Sequence, residues 1–128
     1  MQLIFLGTGA GAPTRNRHLP SLALRRAGTV FLFDCGEGTQ MQLQETAVRP
    51  RRIAHICISH LHGDHVLGLP GLLMSLQLGG REMPLAIHGP LGIAALVRET
   101  LRLTGAMLAF PLQVSEHAGA EQIAHADG

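Results

Sequence analysis

Short apolar runs alternate along the chain with polar segments that contain glycine or proline. Apolar runs of about four to eight residues between turn-forming residues are typical of β-strands. We predict strands at residues 2–6, 21–24, 29–33, 53–59, 85–87 and 107–114. The second and third flank a turn-forming segment and predict a hairpin. The apolar, β-branched run at 53–59 predicts a strand covered on both faces, whereas Pro111 places the last strand at a sheet edge.

Three segments between these strands have helical patterns. Thr39 precedes Gln42 with the spacing of a capping box, so a helix is predicted to begin there and to end before Pro50. The leucine-rich segment 66–78 has a proline where a helix can begin, and residues 91–104 carry apolar side chains at helical spacing. The alanine-rich tail at 115–128 is predicted to add no element. Strands that alternate with helices predict a layered α/β type of fold.

Length and composition indicate one globular domain. The chain has 128 residues, of which 46% are hydrophobic and 15% charged, and this composition excludes a disordered protein. No apolar run approaches the roughly 18 residues of a membrane-spanning helix, and the apolar start lacks the basic flank of a signal peptide. We therefore expect a cytoplasmic protein with no membrane partner. Its two separated cysteines, Cys35 and Cys57, are predicted to be buried free thiols.

The charge is nearly balanced but unevenly distributed. The formal net charge is +1, which argues against a generic polyanion-binding protein. Residues 1–52 hold seven arginines and three acidic residues, a net charge of +4, and the remainder has a net charge of −3. This basic bias suits a phosphate-bearing partner, although scattered, solvated arginines explain it equally well.

The strongest chemical signal lies directly after the predicted strand at 53–59. Four potential metal ligands occur within six residues: His60, His62, Asp64 and His65. In an extended chain, residues two apart project to the same side, so His60 and His62 can approach one ion together. Gly63 permits a sharp turn, after which Asp64 and His65 point elsewhere, close enough for a second ion. Imidazoles and a carboxylate suit zinc, and two zinc ions about 3.5–4 Å apart can share an activated water.

This segment resembles the His-x-His-x-Asp-His motif of the metallo-β-lactamase superfamily. Four further stretches are similar, in the same order, to the ribonuclease Z family within that superfamily. They are residues 5–13 (FLGTGAGAP), 33–40 (FDCGEGTQ), 68–73 (GLPGLL) and 88–90 (HGP). Most superfamily members have the histidine motif without these flanks, so the resemblance is specific to the narrower family.

The resemblance implies an α+β fold of the layered α/β type, with residues 1–128 forming the N-terminal half of the four-layer αββα metallo-β-lactamase sandwich. It implies an endoribonuclease that removes the 3′ trailer from precursor tRNA with two zinc ions. His60 and His62 would hold the first ion, and Asp64 and His65 the second. Asp64 would also act as the catalytic proton acceptor. Precursor tRNA is the implied substrate, and the family forms homodimers.

The sequence departs from the family pattern at two positions and in length. The family usually has an aromatic residue at the position of His88 and an asparagine near His18, but neither position is a ligand. Family members are more than twice as long, and their remaining ligands, a general-acid histidine and a tRNA-gripping arm lie in the additional part. His117 and His125 have flanks unlike those ligand segments, so we do not assign them to the metal. We expect the isolated chain to be inactive.

Three other interpretations fit parts of the sequence. Gly7, Gly9 and Ala12 after a strand, with Asp34 later, imitate a dinucleotide-binding fingerprint, but residues 13–28 lack the helical stripe that such a fold needs. A different metallo-β-lactamase-type hydrolase, such as a small phosphodiesterase or an arylsulfatase relative, stays open. So does a non-catalytic half-domain that binds at most one metal weakly.

Residues outside the motif receive structural interpretations. His55 lies in the predicted strand and is interpreted as a core or surface histidine outside the site. Cys57 is interpreted as a small core residue. The leucines at positions 72, 73, 76 and 78 form a stripe that is either core or a dimer face.

Overall fold

The computed structural model describes residues 1–119, which form a six-stranded mixed sheet with helices. The strands are β1 (Gln2–Gly7), β2 (Ser21–Arg26), β3 (Thr29–Phe33), β4 (Ile53–Cys57), β5 (Leu85–Gly89) and β6 (Leu112–Glu116). The helices are α1 (Thr39–Gln44), α2 (Gly63–Val66), α3 (Leu69–Leu78) and α4 (Ile93–Thr104), and a 3-10 turn covers Pro50–Arg52. Every predicted strand and helix has a counterpart, which confirms the α+β class.

The strands lie in the sheet in the order in which they occur along the chain. β1, β2 and β3 pair antiparallel, and β3 to β6 pair parallel. The predicted hairpin joins β2 to β3 through Ala27 and Gly28, both at positive φ (48° and 84°), as expected of a two-residue turn whose twist matches its strands. The parallel part brings the carboxyl ends of β3, β4 and β5 to one edge.

One face of the sheet is covered by helices and forms the core. Alternate strand residues point into it, among them Leu32, Ile56 and Ile87, each with 0% of its surface exposed. Leu72 and Leu73 of α3 belong to the same buried cluster. The leucine stripe of α3 is therefore core, except for Leu78, which is 88% exposed.

The opposite face of the sheet is apolar and largely uncovered within residues 1–119. Leu3 and Phe5 of β1 and Phe33 of β3 are 55%, 69% and 38% exposed. In register with them, His55 and Cys57 of β4 are only half-buried. The prediction that this strand is covered on both faces is therefore wrong for the described residues, as is the core assignment of Cys57. Cys35 is fully buried, as predicted.

The start of α1 differs from the capping-box prediction. The N-cap residue is Gly38, and no side chain caps the helix. The Thr39 hydroxyl donates instead to the carbonyl oxygen of Gly36, at 2.7 Å. Gly38 has a φ of 86°, so the chain enters the helix through a backbone conformation that favours glycine. The helix does end before Pro50, as predicted.

The last strand begins later than predicted. β6 starts at Leu112, and Pro111 before it has no N–H to donate, although its carbonyl oxygen accepts from Leu85 N at 2.9 Å. Ser115 and Glu116, which were predicted to belong to the tail, are part of this edge strand. The prediction for residues 120–128 lies outside the described residues. Among residues 1–119, no helix is long and apolar enough to cross a membrane.

Candidate metal centre

The His60–His65 segment lies where three loops meet at the carboxyl edge of the sheet. It follows β4 directly and leads into α2. Parallel pairing of β3 with β4 places Asp34, the residue after β3, beside it. Asp34 has a φ of 56°, a left-handed conformation that aspartate tolerates better than most residues. The strand order therefore brings a carboxylate from a distant part of the chain to the histidines.

Glycines allow the backbones around the motif to approach closely. Cys35 N donates to the His65 carbonyl at 2.8 Å, and Gly68 N donates to the Cys35 carbonyl at 2.9 Å. A Cβ atom at Gly68 would lie 2.0 Å from the Gly36 carbonyl oxygen, and one at Gly36 would lie 2.5 Å from the Asp64 carbonyl oxygen. These contacts explain why glycine is needed in two of the stretches that flank the motif.

Asp34 orients His65. A carboxylate can only accept, so His65 donates its Nδ1 proton to Asp34 Oδ2, at 2.8 Å. The Nε2 lone pair of His65 is then available to a metal. This atom lies 3.6 Å from Asp64 Oδ2. His65 Nε2 and the Asp64 carboxylate are thus close to each other.

Asp34 also acts on His60 through Ser59. Ser59 donates its backbone N–H and its hydroxyl to the two oxygens of Asp34, at 2.7 and 2.9 Å. The Ser59 oxygen then accepts from His60 Nδ1 at 2.9 Å, which leaves His60 Nε2 with its lone pair. Histidine ligands of metals are typically held by a hydrogen bond from their other ring nitrogen. His60 and His65 both have this arrangement.

The donor atoms of His60 and His62 fit one zinc ion. His60 Nε2 lies 3.2 Å from His62 Nδ1. Two nitrogens bound to one tetrahedral zinc at about 2.05 Å would be separated by roughly 3.3 Å. The His60 and His65 rings are also close, with centroids 4.1 Å apart. Within residues 1–119, however, no group of three or more histidine, cysteine or acidic side chains is arranged to hold an ion. The motif therefore supplies pairs of donors.

The glycine-rich loop after β1 contacts the motif at Asp64. Gly11 N donates to Asp64 Oδ2 at 3.0 Å. This hydrogen bond is the main reason that the pKa of the Asp64 carboxyl lies below its ordinary value, and His65 and His62 lower it further. Asp64 is therefore ionised at neutral pH, which is the state in which a carboxylate can bind a metal ion.

Three other histidines, His55, His88 and His117, lie together on the uncovered sheet face, away from the motif. His55 stacks on Phe31 with ring centroids 5.1 Å apart, and its Nδ1 lies 3.2 Å from His88 Nε2. His88 Nδ1 is buried without a hydrogen-bond partner among residues 1–119. Burial, and then His117 nearby, lower the pKa of His88. His55 and His117 are outside the candidate centre, as predicted, and His125 lies outside the described residues.

Sequence reasoning missed the roles of Asp34, Ser59 and Gly11. The glycine-rich turn after β1 lies beside the motif, and its hydrogen bond to Asp64 was not predicted. The signal for Asp34 was its position directly after a strand that pairs with β4. The dinucleotide interpretation is excluded, because β2 stands where the fingerprint needs a helix.

Solved structures confirm the class of fold. The structure of human tRNase Z, short form, superposes with a TM-score of 0.88 at 42% sequence identity, covering 94% of this chain and 46% of that chain. The metallo-β-lactamase fold protein YhfI from Bacillus subtilis superposes with a TM-score of 0.74 at 17% identity, covering 96% of this chain and 48% of that chain. The chain thus has the metallo-β-lactamase fold. Because it covers about half of each of these structures, it is consistent with one half of the αββα sandwich.

The sequence comparisons define the family. A family model described as "Anti-Pycsar protein Apyc1" matches residues 1–107, and the chain belongs to this family. Ribonuclease Z of Enterococcus faecalis is 49% identical over 119 residues, which are 91% of this chain and 38% of that protein. Ribonuclease BN of Salmonella paratyphi B is 50% identical over 120 residues, 91% of this chain and 39% of that protein. The predicted resemblance to ribonuclease Z is confirmed, and the chain spans about two fifths of the length of these relatives.

Proposed function

We propose that this chain is the N-terminal portion of a zinc-dependent endoribonuclease that removes the 3′ trailer from precursor tRNA. The orientation of the motif by Asp34 carries the proposal. One carboxylate fixes the Nδ1 proton of His65 directly and that of His60 through Ser59. Both rings consequently keep their Nε2 lone pairs for metal. The similar proteins named ribonuclease Z and tRNase Z support tRNA as the substrate class.

In this mechanism His60 and His62 would hold one zinc ion, and Asp64 and His65 would hold the second. Zinc supplies Lewis acidity, which lowers the pKa of the attacking water and neutralises charge on the phosphate oxygens. Asp64 would orient this water and would accept its proton only transiently, because a carboxylate whose pKa is lowered is a weak base. Asp34 keeps His60 and His65 in the orientation that binding requires.

The isolated chain is proposed to be inactive. The motif offers two donors for each ion, whereas a catalytic zinc ion generally has three protein ligands. Weak zinc binding without turnover is therefore expected of the 128 residues alone. This is also the behaviour of a non-catalytic half-domain, so the activity must be tested with the remaining ligands supplied.

A fusion protein provides that test. Residues 1–119 are joined to the part of Enterococcus faecalis ribonuclease Z that this chain does not cover. The fusion should bind zinc and remove the 3′ trailer from a precursor tRNA, and the same fusion with His62→Ala should not. A folded, zinc-loaded fusion that leaves the precursor intact would refute the proposal. Two tightly held zinc ions with turnover in the isolated chain would refute the assignment of a partial site.

A different metallo-β-lactamase-type phosphodiesterase is the second candidate. The description of the matching family names an Anti-Pycsar protein and no tRNA-processing enzyme, and this supports the second candidate. Cleavage of precursor tRNA is therefore compared with cleavage of a small chromogenic phosphodiester. Turnover of the small diester without trailer removal would favour the second candidate.

Homodimerisation and a cytoplasmic location belong to the same proposal. They rest on the similarity to ribonuclease Z. Sedimentation of the fusion would test the dimer, and fractionation of cells that express the native gene would test the location.

A further inference from the structure

Five exposed arginines gather at the end of the sheet opposite the metal centre, and we call them the arginine rim. They are Arg25, Arg26, Arg49, Arg51 and Arg52. The strand register explains the gathering. Arg25 pairs with Val30, and Val30 pairs with Ile53, the residue directly after the last rim arginine. Five of the seven arginines of residues 1–52 thus lie on one surface of the folded chain.

A buried arginine adds positive charge beneath the rim. Arg81 is only 5% exposed. Its guanidinium donates to the carbonyl oxygens of Arg51, Ile53, Met83 and Pro84, at 2.7 to 3.2 Å. Within residues 1–119 it forms no ion pair. Carbonyl dipoles stabilise the positive charge of Arg81 but do not cancel it, so this charge raises the positive potential of the surface around it.

The rim borders a cavity of about 940 Å³ between α1, α3 and the amino ends of β4 and β5. Arg49, Arg51, Arg52 and Arg81 line it, together with one acidic residue, Glu82. Polar and apolar side chains of α1 and α3, the β2–β3 turn and neighbouring residues such as Val48 and Met83 complete the wall. The cavity lies on the helix side of the sheet, so covering the apolar face would leave it open.

We propose that the arginine rim and its cavity bind the phosphate backbone of RNA. The planar fork of arginine matches the oxygens of a phosphodiester, and several arginines on one concave surface track a polyanion. A membrane surface is a poorer match because the chain has no Trp or Tyr to anchor at a lipid interface. The identity of the polyanion rests on the proposed function, whereas the location of the surface comes from the rim itself.

The position of the rim separates it from the metal centre. Arg52 precedes His60 by eight residues of mostly extended chain, which corresponds to roughly 26 Å at about 3.3 Å per residue. The rim would therefore contact phosphates remote from the scissile bond and contribute affinity without touching the reacting atoms.

The test is RNA binding by the 128-residue chain, measured by fluorescence anisotropy with a labelled single-stranded RNA at several salt concentrations. Arg51→Gln/Arg52→Gln is compared with Arg98→Gln/Arg102→Gln, which removes the same charge from α4, where both arginines pair with Glu99. The rim variant should lose about tenfold in affinity at low salt and lower the salt slope by about 1.4. The α4 variant should stay within about twofold of the unmodified chain.

Each outcome decides the proposal. Arg51→Lys/Arg52→Lys should recover most of the affinity, and this result would separate charge from misfolding. Equal losses in the rim and α4 variants, no detectable RNA binding at low salt, or binding to anionic phosphatidylserine vesicles but not to RNA would overturn it. His62→Ala should bind RNA like the unmodified chain. Failure of the fusion to cleave precursor tRNA would refute the proposed function without changing these binding results.

Discussion

Replacing Asp34 with Asn tests the physical basis of the metal centre most directly. Asn tolerates the left-handed backbone at φ 56°, so the loop should keep its shape. Its amide oxygen can still accept from Ser59 N, as Asp34 Oδ1 does at 2.7 Å. The other carboxylate oxygen, which accepts from His65 and from the Ser59 hydroxyl, becomes an NH2 group that donates. The change therefore alters the direction of two hydrogen bonds and little else.

This reversal should weaken zinc binding. Facing a donor, His65 Nδ1 must become an acceptor, so the ring proton moves to Nε2, the atom that would bind metal. The Ser59 hydroxyl is also freed from Asp34, so its acceptance of the His60 Nδ1 proton is no longer enforced. Loss of such an orienting partner typically lowers metal affinity by about 10–100-fold. That range corresponds to about 1.4–2.7 kcal/mol of binding free energy.

The measurement is a competitive zinc titration of the ribonuclease Z fusion, together with its rate of precursor tRNA cleavage. Glu99→Gln is the matched control, since it makes the same carboxylate-to-amide change on the exposed surface of α4. The control should leave zinc affinity unchanged. Zinc affinity within twofold of the unmodified fusion in a correctly folded Asp34→Asn protein would show that Asp34 does not orient the ligands.

Three further predictions follow from other parts of the chain. In the fusion, His62→Ala should abolish cleavage and leave the far-ultraviolet circular dichroism unchanged, whereas His55→Ala should retain most activity. If His62→Ala kept more than a few per cent of the activity with full zinc content, the ligand assignment would be contradicted. The isolated chain should self-associate through its uncovered sheet face, and Phe5→Glu, which alters a side chain that is 69% exposed, should shift its sedimentation toward monomer; an unchanged distribution would exclude this face. Burial raises the pKa of the Cys35 thiol to about 12, so iodoacetamide at neutral pH should label it only after unfolding, as mass spectrometry would detect; rapid labelling of the native chain would contradict this.

Much of the fold could be predicted from local patterns. The hairpin turn at Ala27 and Gly28, the start of α3 next to Pro70 and the end of α4 before Gly105 depend on residues next to one another in sequence. The errors arose where the environment overrode the local signal. The strand β4 is apolar enough to be covered on both faces, but only one face is covered in the described part of the chain. Thr39 has the residue type of a cap, yet its hydroxyl bonds backward to Gly36.

The candidate ligands could likewise be identified from sequence, because His60, His62, Asp64 and His65 are neighbours whose spacing is itself the signal. Only the tertiary structure shows what controls them. Asp34 reaches His65 across 31 positions, and the Gly11 amide reaches Asp64 across 53. Such contacts depend on which strands pair and in which register, and no local pattern specifies that.

The arginine rim shows the same difference between local sequence patterns and non-local contacts. From composition, the basic bias of residues 1–52 was equally compatible with scattered arginines, because net charge carries no information about position. The register of β2, β3 and β4 decided the matter by bringing Arg25 and Arg52 to one edge. Sequence alone determined the identity of the chemical groups and the elements that carry them, since both depend on local spacing. Tertiary structure decided which groups act together, because that depends on non-local strand pairing.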